Sequence, residues 1–232
     1  MKTKNTRLAK FTMFAAVLSF AALFSSCSDD DKVDAGSSVN VKVVNAGENA
    51  SNQDFFIEGT KIASAVSEGQ STNYITTTNS GSDRNVEFRA SGSSEVYASM
   101  KTDLKENKNY TFILSGTGSS ARIIAMEDDL TAPSSGKAKV RFIHASSAAP
   151  ENVDIYTING EANRVKIATV GRYQASSFTE IDPSFGVGVV TAGSTDLGQI
   201  QTLSFGSLQA GHIYTILVSG STQVTASAIT HN

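Results

Sequence analysis

From Ser38 to Val44 apolar and polar side chains alternate: Val39, Val41 and Val43 are separated by Asn40 and Lys42. The same beat returns further along, where Ala138, Val140 and Phe142 stand between Lys137, Lys139 and Arg141. Alternation at period two predicts strands with one face on a core and the other in water. The pattern predicts further strands over 53–57, 72–77, 85–90, 95–101, 109–115 and 120–126. A second set is predicted over 152–157, 164–169, 175–181, 186–192, 200–205, 212–218 and 223–229. Short strands parted by Gly, Ser and Asn clusters suit an antiparallel sandwich. Gly116-Thr117-Gly118 and Gly220-Ser221 read as the turns of the last hairpin in each set.

The two sets are copies of one unit. Lys108-Asn-Tyr-Thr-Phe-Ile-Leu-Ser-Gly116 matches His212-Ile-Tyr-Thr-Ile-Leu-Val-Ser-Gly220, and Leu104 matches Leu208. Val86 to Ser93 matches Val187 to Ser194, Asn45-Ala46 matches His144-Ala145, and the Asp54 segment matches the Asp154 segment. The offset drifts from 99 to 104 residues, as loop insertions would cause. A period of that length makes each copy a domain rather than a solenoid repeat. The expected fold class is all-β: two tandem immunoglobulin-like antiparallel β-sandwich domains after a lipoprotein signal peptide. The expected boundaries are 1–26 for the signal peptide, 27–38 for a lipidated Cys and acidic tether, 39–129 for the first sandwich, 130–136 for a linker and 137–232 for the second sandwich.

The leader carries Lys2, Lys4, Arg7 and Lys10, then the apolar run Phe11 to Phe24, then Ser25, Ser26 and Cys27. A positive start, a short apolar stretch and small residues before a cut site make a secretory signal. The run is shorter than the roughly 20 residues a spanning helix needs. Cys27 is the sole cysteine, and its placement resembles a bacterial lipobox, which implies diacylglycerol on its thiol. Several acyl chains together give a lasting anchor where one gives marginal binding. The run Ser28-Asp29-Asp30-Asp31 resembles the acidic export signal of surface-exposed lipoproteins in the Bacteroides group. The expected location is the outer membrane, lipid-anchored and exposed at the cell surface, with a periplasm-facing lipoprotein as the alternative.

Removing residues 1–26 takes away four bases and no acids, which leaves 15 bases, 22 acids and a net charge of −7. An acidic chain without a basic cluster is a poor partner for nucleic acid. With Cys27 acylated no thiol remains for redox or thiolate-metal chemistry. His144, His212 and His231 show no metal-ligand spacing, so neither a metal nor another cofactor is expected. Glu127-Asp128-Asp129 lacks the spacing of a calcium loop and reads as solvated linker. His144 and Asp154 invite a catalytic reading, but the chain has no G-x-S-x-G and the first copy has no His, so no catalytic set is expected. A His closing a strand and bonding the turn after it is the simpler account of His144. Tyr74, Tyr97 and Tyr173 are candidates for an exposed aromatic platform.

Val140-Arg-Phe-Ile-His-Ala-Ser-Ser-Ala-Ala-Pro150, then Val153-Asp154-Ile155-Tyr156, Asn159-Gly160 and the late strand Tyr214-Thr215-Ile216, resemble the bacterial family labelled domain of unknown function 4397. The resemblance covers about 137–230; the first copy departs from it with Asn45 in place of the His and no Pro after it. It implies a β-sandwich in a secreted or surface protein and no activity. The expected function is a non-enzymatic envelope lipoprotein serving as a surface binding, adhesion or scaffold module, with His144, Asp154 and Tyr173 as binding candidates. The alternative is a glycan-binding accessory of a nutrient-uptake system. The expected partners are a membrane, through the anchor, and a protein or glycan.

Overall fold

The computed structural model describes residues 38–160 and 162–232. The leader, Cys27 and the acidic tether up to residue 37 lie outside the described residues. The chain from Ser38 on forms sixteen strands and two single-turn 3-10 segments, over 118–120 and 197–199.

The first eight strands are β1 (Val39–Gly47), β2 (Gln53–Ile57), β3 (Thr60–Val66), β4 (Ile75–Thr77), β5 (Gly81–Ala90), β6 (Val96–Leu104), β7 (Asn109–Gly116) and β8 (Arg122–Glu127). They make two sheets, ordered β4-β1-β7-β8 and β3-β2-β5-β6. The second eight are β9 (Ala138–His144), β10 (Asn152–Ile158), β11 (Arg164–Gly171), β12 (Thr179–Ile181), β13 (Gly186–Thr191), β14 (Gln201–Thr202), β15 (Ile213–Ser219) and β16 (Thr225–Thr230). Their sheets, β12-β9-β15-β16 and β11-β10-β13-β14, repeat the first order strand for strand. Strand β3 was not foreseen; it is mostly exposed and carries one bulged edge against β2, so its pattern is weak.

The fold is all-β, as expected, with one local difference. The opening strand of each half sits inside its sheet, parallel to the seventh strand and antiparallel to the fourth. Here the last hairpin, β7–β8 or β15–β16, adds itself to the free side of the first strand.

Each half buries its own core. In the first, Val41, Val43, Phe55, Phe88 and Phe112 are fully enclosed, with the Phe55 ring centroid 5.0 Å from those of both Phe88 and Phe112. In the second, Val140, Phe142, Ile155, Val189 and Ile216 take these places. Each such side chain stabilises by about 1.5–3 kcal/mol through removal from water. The repeated Tyr-Thr is explained by two opposite faces. Tyr110 and Tyr214 point into the cores, and their hydroxyls accept from the backbone N–H of Lys105 (3.0 Å) and Gln209 (3.1 Å), five residues upstream. Thr111 and Thr215 point the other way and are also buried.

That second burial corrects the reading of the opening strands. Lys42, Lys139 and Arg141 do not face water; each is less than a tenth exposed. The sheets containing β1 and β9 turn these polar faces toward each other. A third apolar cluster lies there, formed by Val44, Ile113 and Ile124 from one half with Ile143, Leu217 and Ile229 from the other. The described residues all fall within one compact unit.

Candidate functional site

His144 ends β9 with no exposed surface. Its Nε2 donates to the Pro150 carbonyl (2.7 Å) and its Nδ1 accepts from the Ser146 N–H (3.3 Å). This assigns the proton to Nε2. Burial lowers its pKa, which keeps the ring neutral. Asn45, its counterpart, makes the same two bonds: Oδ1 accepts from Gly47 N–H (3.2 Å) and Nδ2 donates to the Ser51 carbonyl (3.2 Å). Two different side chains thus serve residues two and six positions ahead. The rest of the His-Ala-Ser-Ser-Ala-Ala-Pro segment is held likewise. Ser146 Oγ accepts from Ala148 and Ala149 N–H and donates to the Gly220 carbonyl (2.7 Å).

Asp154 on β10 is buried and ties three segments: it accepts from Thr169 Oγ1 (2.5 Å) and Gly193 N–H (2.9 Å), with Lys166 Nζ at 3.5 Å. Burial would raise its pKa; these three partners outweigh that and lower it. Asp54 is its counterpart, bonded to Lys61, Ser91 and the Ala65 N–H, and held at about 2 despite burial. Tyr173 lies elsewhere, half-buried at the edge of the apolar cluster between the halves. Its ring centroid is 3.8 Å from the guanidinium carbon of Arg122. Its backbone is left-handed, φ 63°, which for a bulky residue costs on the order of 1–3 kcal/mol that other contacts must offset. Of the other tyrosines, Tyr97 accepts from Gly118 N–H (3.3 Å) and Tyr74 is drawn into the junction.

A closed ring of hydrogen bonds crosses that junction. Arg141 pairs with Asp128, both almost wholly buried, and its Nε donates to Thr215 Oγ1 (2.9 Å). Thr215 meets His231 Nε2 (2.8 Å), His231 Nδ1 meets the Tyr74 hydroxyl (2.7 Å), and Tyr74 donates to Asp128 Oδ2 (2.6 Å). Since Tyr74 spends its proton on the carboxylate, His231 carries its own on Nδ1 and accepts from Thr215 at Nε2. Burial first, then Arg141 and Lys42, hold His231 down to about 3. Thr111 also donates to Asp128 (2.7 Å). Asp128 is therefore a structural anchor, which corrects the reading of that residue as solvated linker; Glu127 and Asp129 on either side are exposed. Sequence reasoning missed this ring because Tyr74, Asp128, Arg141, Thr215 and His231 are scattered along the chain, on or just beyond the ends of different strands. The repeat was the available signal: Lys42 and Arg141, Thr111 and Thr215, Asp128 and His231 occupy matching places.

At the edge of the apolar cluster, a cleft of about 490 Å³ opens between the halves. Its floor is apolar, from Val44, Ala46, Leu217 and Ile229. Its rim is polar, from Glu48, Asn49, Glu68 and Gln70 on one side and the β15–β16 turn on the other. No aromatic or cationic side chain lines it. Among the described residues no group of three or more His, Cys, Asp or Glu is placed to hold a metal ion.

Paired sandwiches of this topology define the class, and the sequence supplies the family. The family profile described as Domain of unknown function (DUF4397) matches residues 39–156, half of the chain, and the chain belongs to that family. The matched span takes in the whole first sandwich, β9 and most of β10, whereas the resemblance was drawn from 137–230. No curated protein matches the chain in sequence. Among solved structures, the chain is similar to a candidate cell adhesion protein from Bacteroides uniformis, at 9% identity over 84% of this chain and 100% of that one, TM-score 0.27. It is also similar to the CBM26 module of Eubacterium rectale Amy13K in complex with maltoheptaose, at 8% identity over 83% and 95%, TM-score 0.24. At these TM-scores neither likeness bears on function.

Proposed function

We infer that the chain is a non-enzymatic lipoprotein of the Bacteroides-type cell envelope, built from two copies of the family's sandwich, that binds a partner at the cell surface. The leader, Cys27 and the Ser28-Asp29-Asp30-Asp31 run support the anchor and the export. The observation that carries the binding role is the open cleft between the halves, with a polar rim and an apolar floor shared with the cluster that joins them. His144 has both ring nitrogens committed to backbone groups, which supports a role in holding the turn rather than in proton transfer.

Two measurements on cells test this. Labelled palmitate should enter the protein and should not enter a Cys27→Ala variant. Trypsin added to intact cells should digest the wild-type protein while a periplasmic marker survives. An unlabelled protein rules out the anchor, and a trypsin-resistant one on intact cells rules out surface display.

A further inference from the structure

The two halves meet through matching faces, so every place on one side of the junction has a counterpart on the other. The correspondence is fixed by hydrogen bonds. Gly69 N–H donates to the Asn45 carbonyl (2.7 Å) as Tyr173 N–H donates to the His144 carbonyl (2.5 Å). Asn45 N–H donates to Gln70 O and His144 N–H to Gln174 O, each at 3.1 Å. Gly69 and Tyr173 share the left-handed backbone, φ 75° and 63°. In the facing hairpins Thr225 pairs with Ser219 as Arg122 pairs with Ser115.

At one end of the junction Tyr173 and Arg122 stack and seal the apolar cluster. At the other end stand Gly69 and Thr225, and the cleft opens. A side chain on Gly69 would meet nothing within 4 Å at its first carbon. Charge is inverted as well: Glu68 stands at the place of Arg172, and Glu48 joins it on the rim, where the sealed end has Arg122 and Arg172. The chain therefore displays, at its sealed end, the chemistry that fits the shape left vacant at its open end.

Building on the surface-binding reading, we propose that the cleft receives a tyrosine side chain with an adjacent arginine from a protein partner, in the manner of Tyr173 and Arg122. The ring covers Val44, Ala46 and Leu217 over the space beside Gly69. The guanidinium lies by Glu48 and Glu68, where opposite charge favours it. Neither element is supplied by the cleft itself, which distinguishes it from a site that stacks a sugar on its own aromatic ring.

The test is an NMR titration of the full-length protein with four probes: acetyl-Tyr-Arg-amide, acetyl-Tyr-Glu-amide, acetyl-Ala-Arg-amide and maltoheptaose. Acetyl-Tyr-Arg-amide should bind about tenfold more tightly than either other dipeptide, through the paired loss of ring burial or charge attraction. Its shifts should map to Val44, Gln70 and Leu217. Gly69→Tyr with Thr225→Arg should abolish binding by copying the seal; Glu48→Gln with Glu68→Gln, on the exposed rim, should weaken it without touching the core. Equal binding by the sealed variant, or by the Tyr-Glu probe, overturns the proposal. Maltoheptaose binding that the seal removes also overturns it, while leaving the surface-binding reading intact. If no probe binds, the proposal fails and the trypsin result alone decides that reading.

Discussion

Asn45 and His144 differ in size and in that only the imidazole can titrate, yet each presents an acceptor toward the N–H two residues ahead and a donor toward the carbonyl six ahead. The substitution between copies is thus conservative in geometry. His144→Asn should cost less than about 1.5 kcal/mol, since the first sandwich shows that Asn fits this turn. His144→Ala should cost more, because it strands the buried Ser146 N–H, at about 1–3 kcal/mol for an unsatisfied buried group, and removes the partner of the Pro150 carbonyl. Urea denaturation of both variants measures the difference, and equal losses would contradict this account. The sequence made the turn-holding role of His144 readable from its position after a strand. The equivalence with Asn45 was not readable, because it exists only in the directions of lone pairs and N–H bonds.

At the scale of elements, the last hairpin of the second half does two jobs. It completes the sheet beside the opening strand, and its turn presents the Gly220 carbonyl to Ser146 Oγ and to the N–H groups of Ser147 and Ala148. Gly220 has φ 104°, and a first side-chain carbon there would lie 1.9 Å from the Gln223 carbonyl oxygen. Gly220→Ala should therefore destabilise by more than about 2 kcal/mol through backbone strain. It should also raise amide exchange in β16 and in 146–149 more than in the first sandwich. Uniform exchange across both halves would show that the turn is not the strained point. Strand positions were largely legible: 53–57 coincides with β2, and most others fall within a few residues. The orientation of the polar faces was not. Period-two alternation places Lys42 and Arg141 opposite the core, and only the second sandwich decides that they meet protein instead of water.

For the molecule as a whole, the junction makes stability depend on pH. His231 titrates at about 3 in the folded chain, against 6.5 as its ordinary value. Between those values the unfolded chain binds a proton that the folded chain refuses. The stabilisation is therefore complete above pH 6.5 and is lost as the pH falls toward 3. Its slope is up to about 1.4 kcal/mol per pH unit for one proton. Asp54 and Asp129, both held at about 2, act in the same direction only below their ordinary 3.8. Unfolding free energies from pH 7 to 4 should fall in the wild type, and His231→Gln should flatten the slope by about one proton. An unchanged slope would place the titration elsewhere. The all-β class was legible from short strands and turn residues, and the repeat was legible from Tyr-Thr and Ser-Gly. The cleft was not, because it arises from Gly69 and Thr225 standing opposite Tyr173 and Arg122 in space, and neither pair is adjacent in the chain.

The central parallel pairing also fixes an order of events. Asn40 bonds Asn109 across 69 residues, and Arg141 bonds Thr215 across 74. The strand made first in each half waits for nearly the last before its sheet can close. Contacts so distant in sequence slow folding, because the intervening loop must be closed before they form. A chain emerging from its N-terminus keeps Val41, Val43 and Val44 uncovered until β7 arrives, and β9 repeats that delay. Each half is accordingly expected to close its first sheet only when its final hairpin docks.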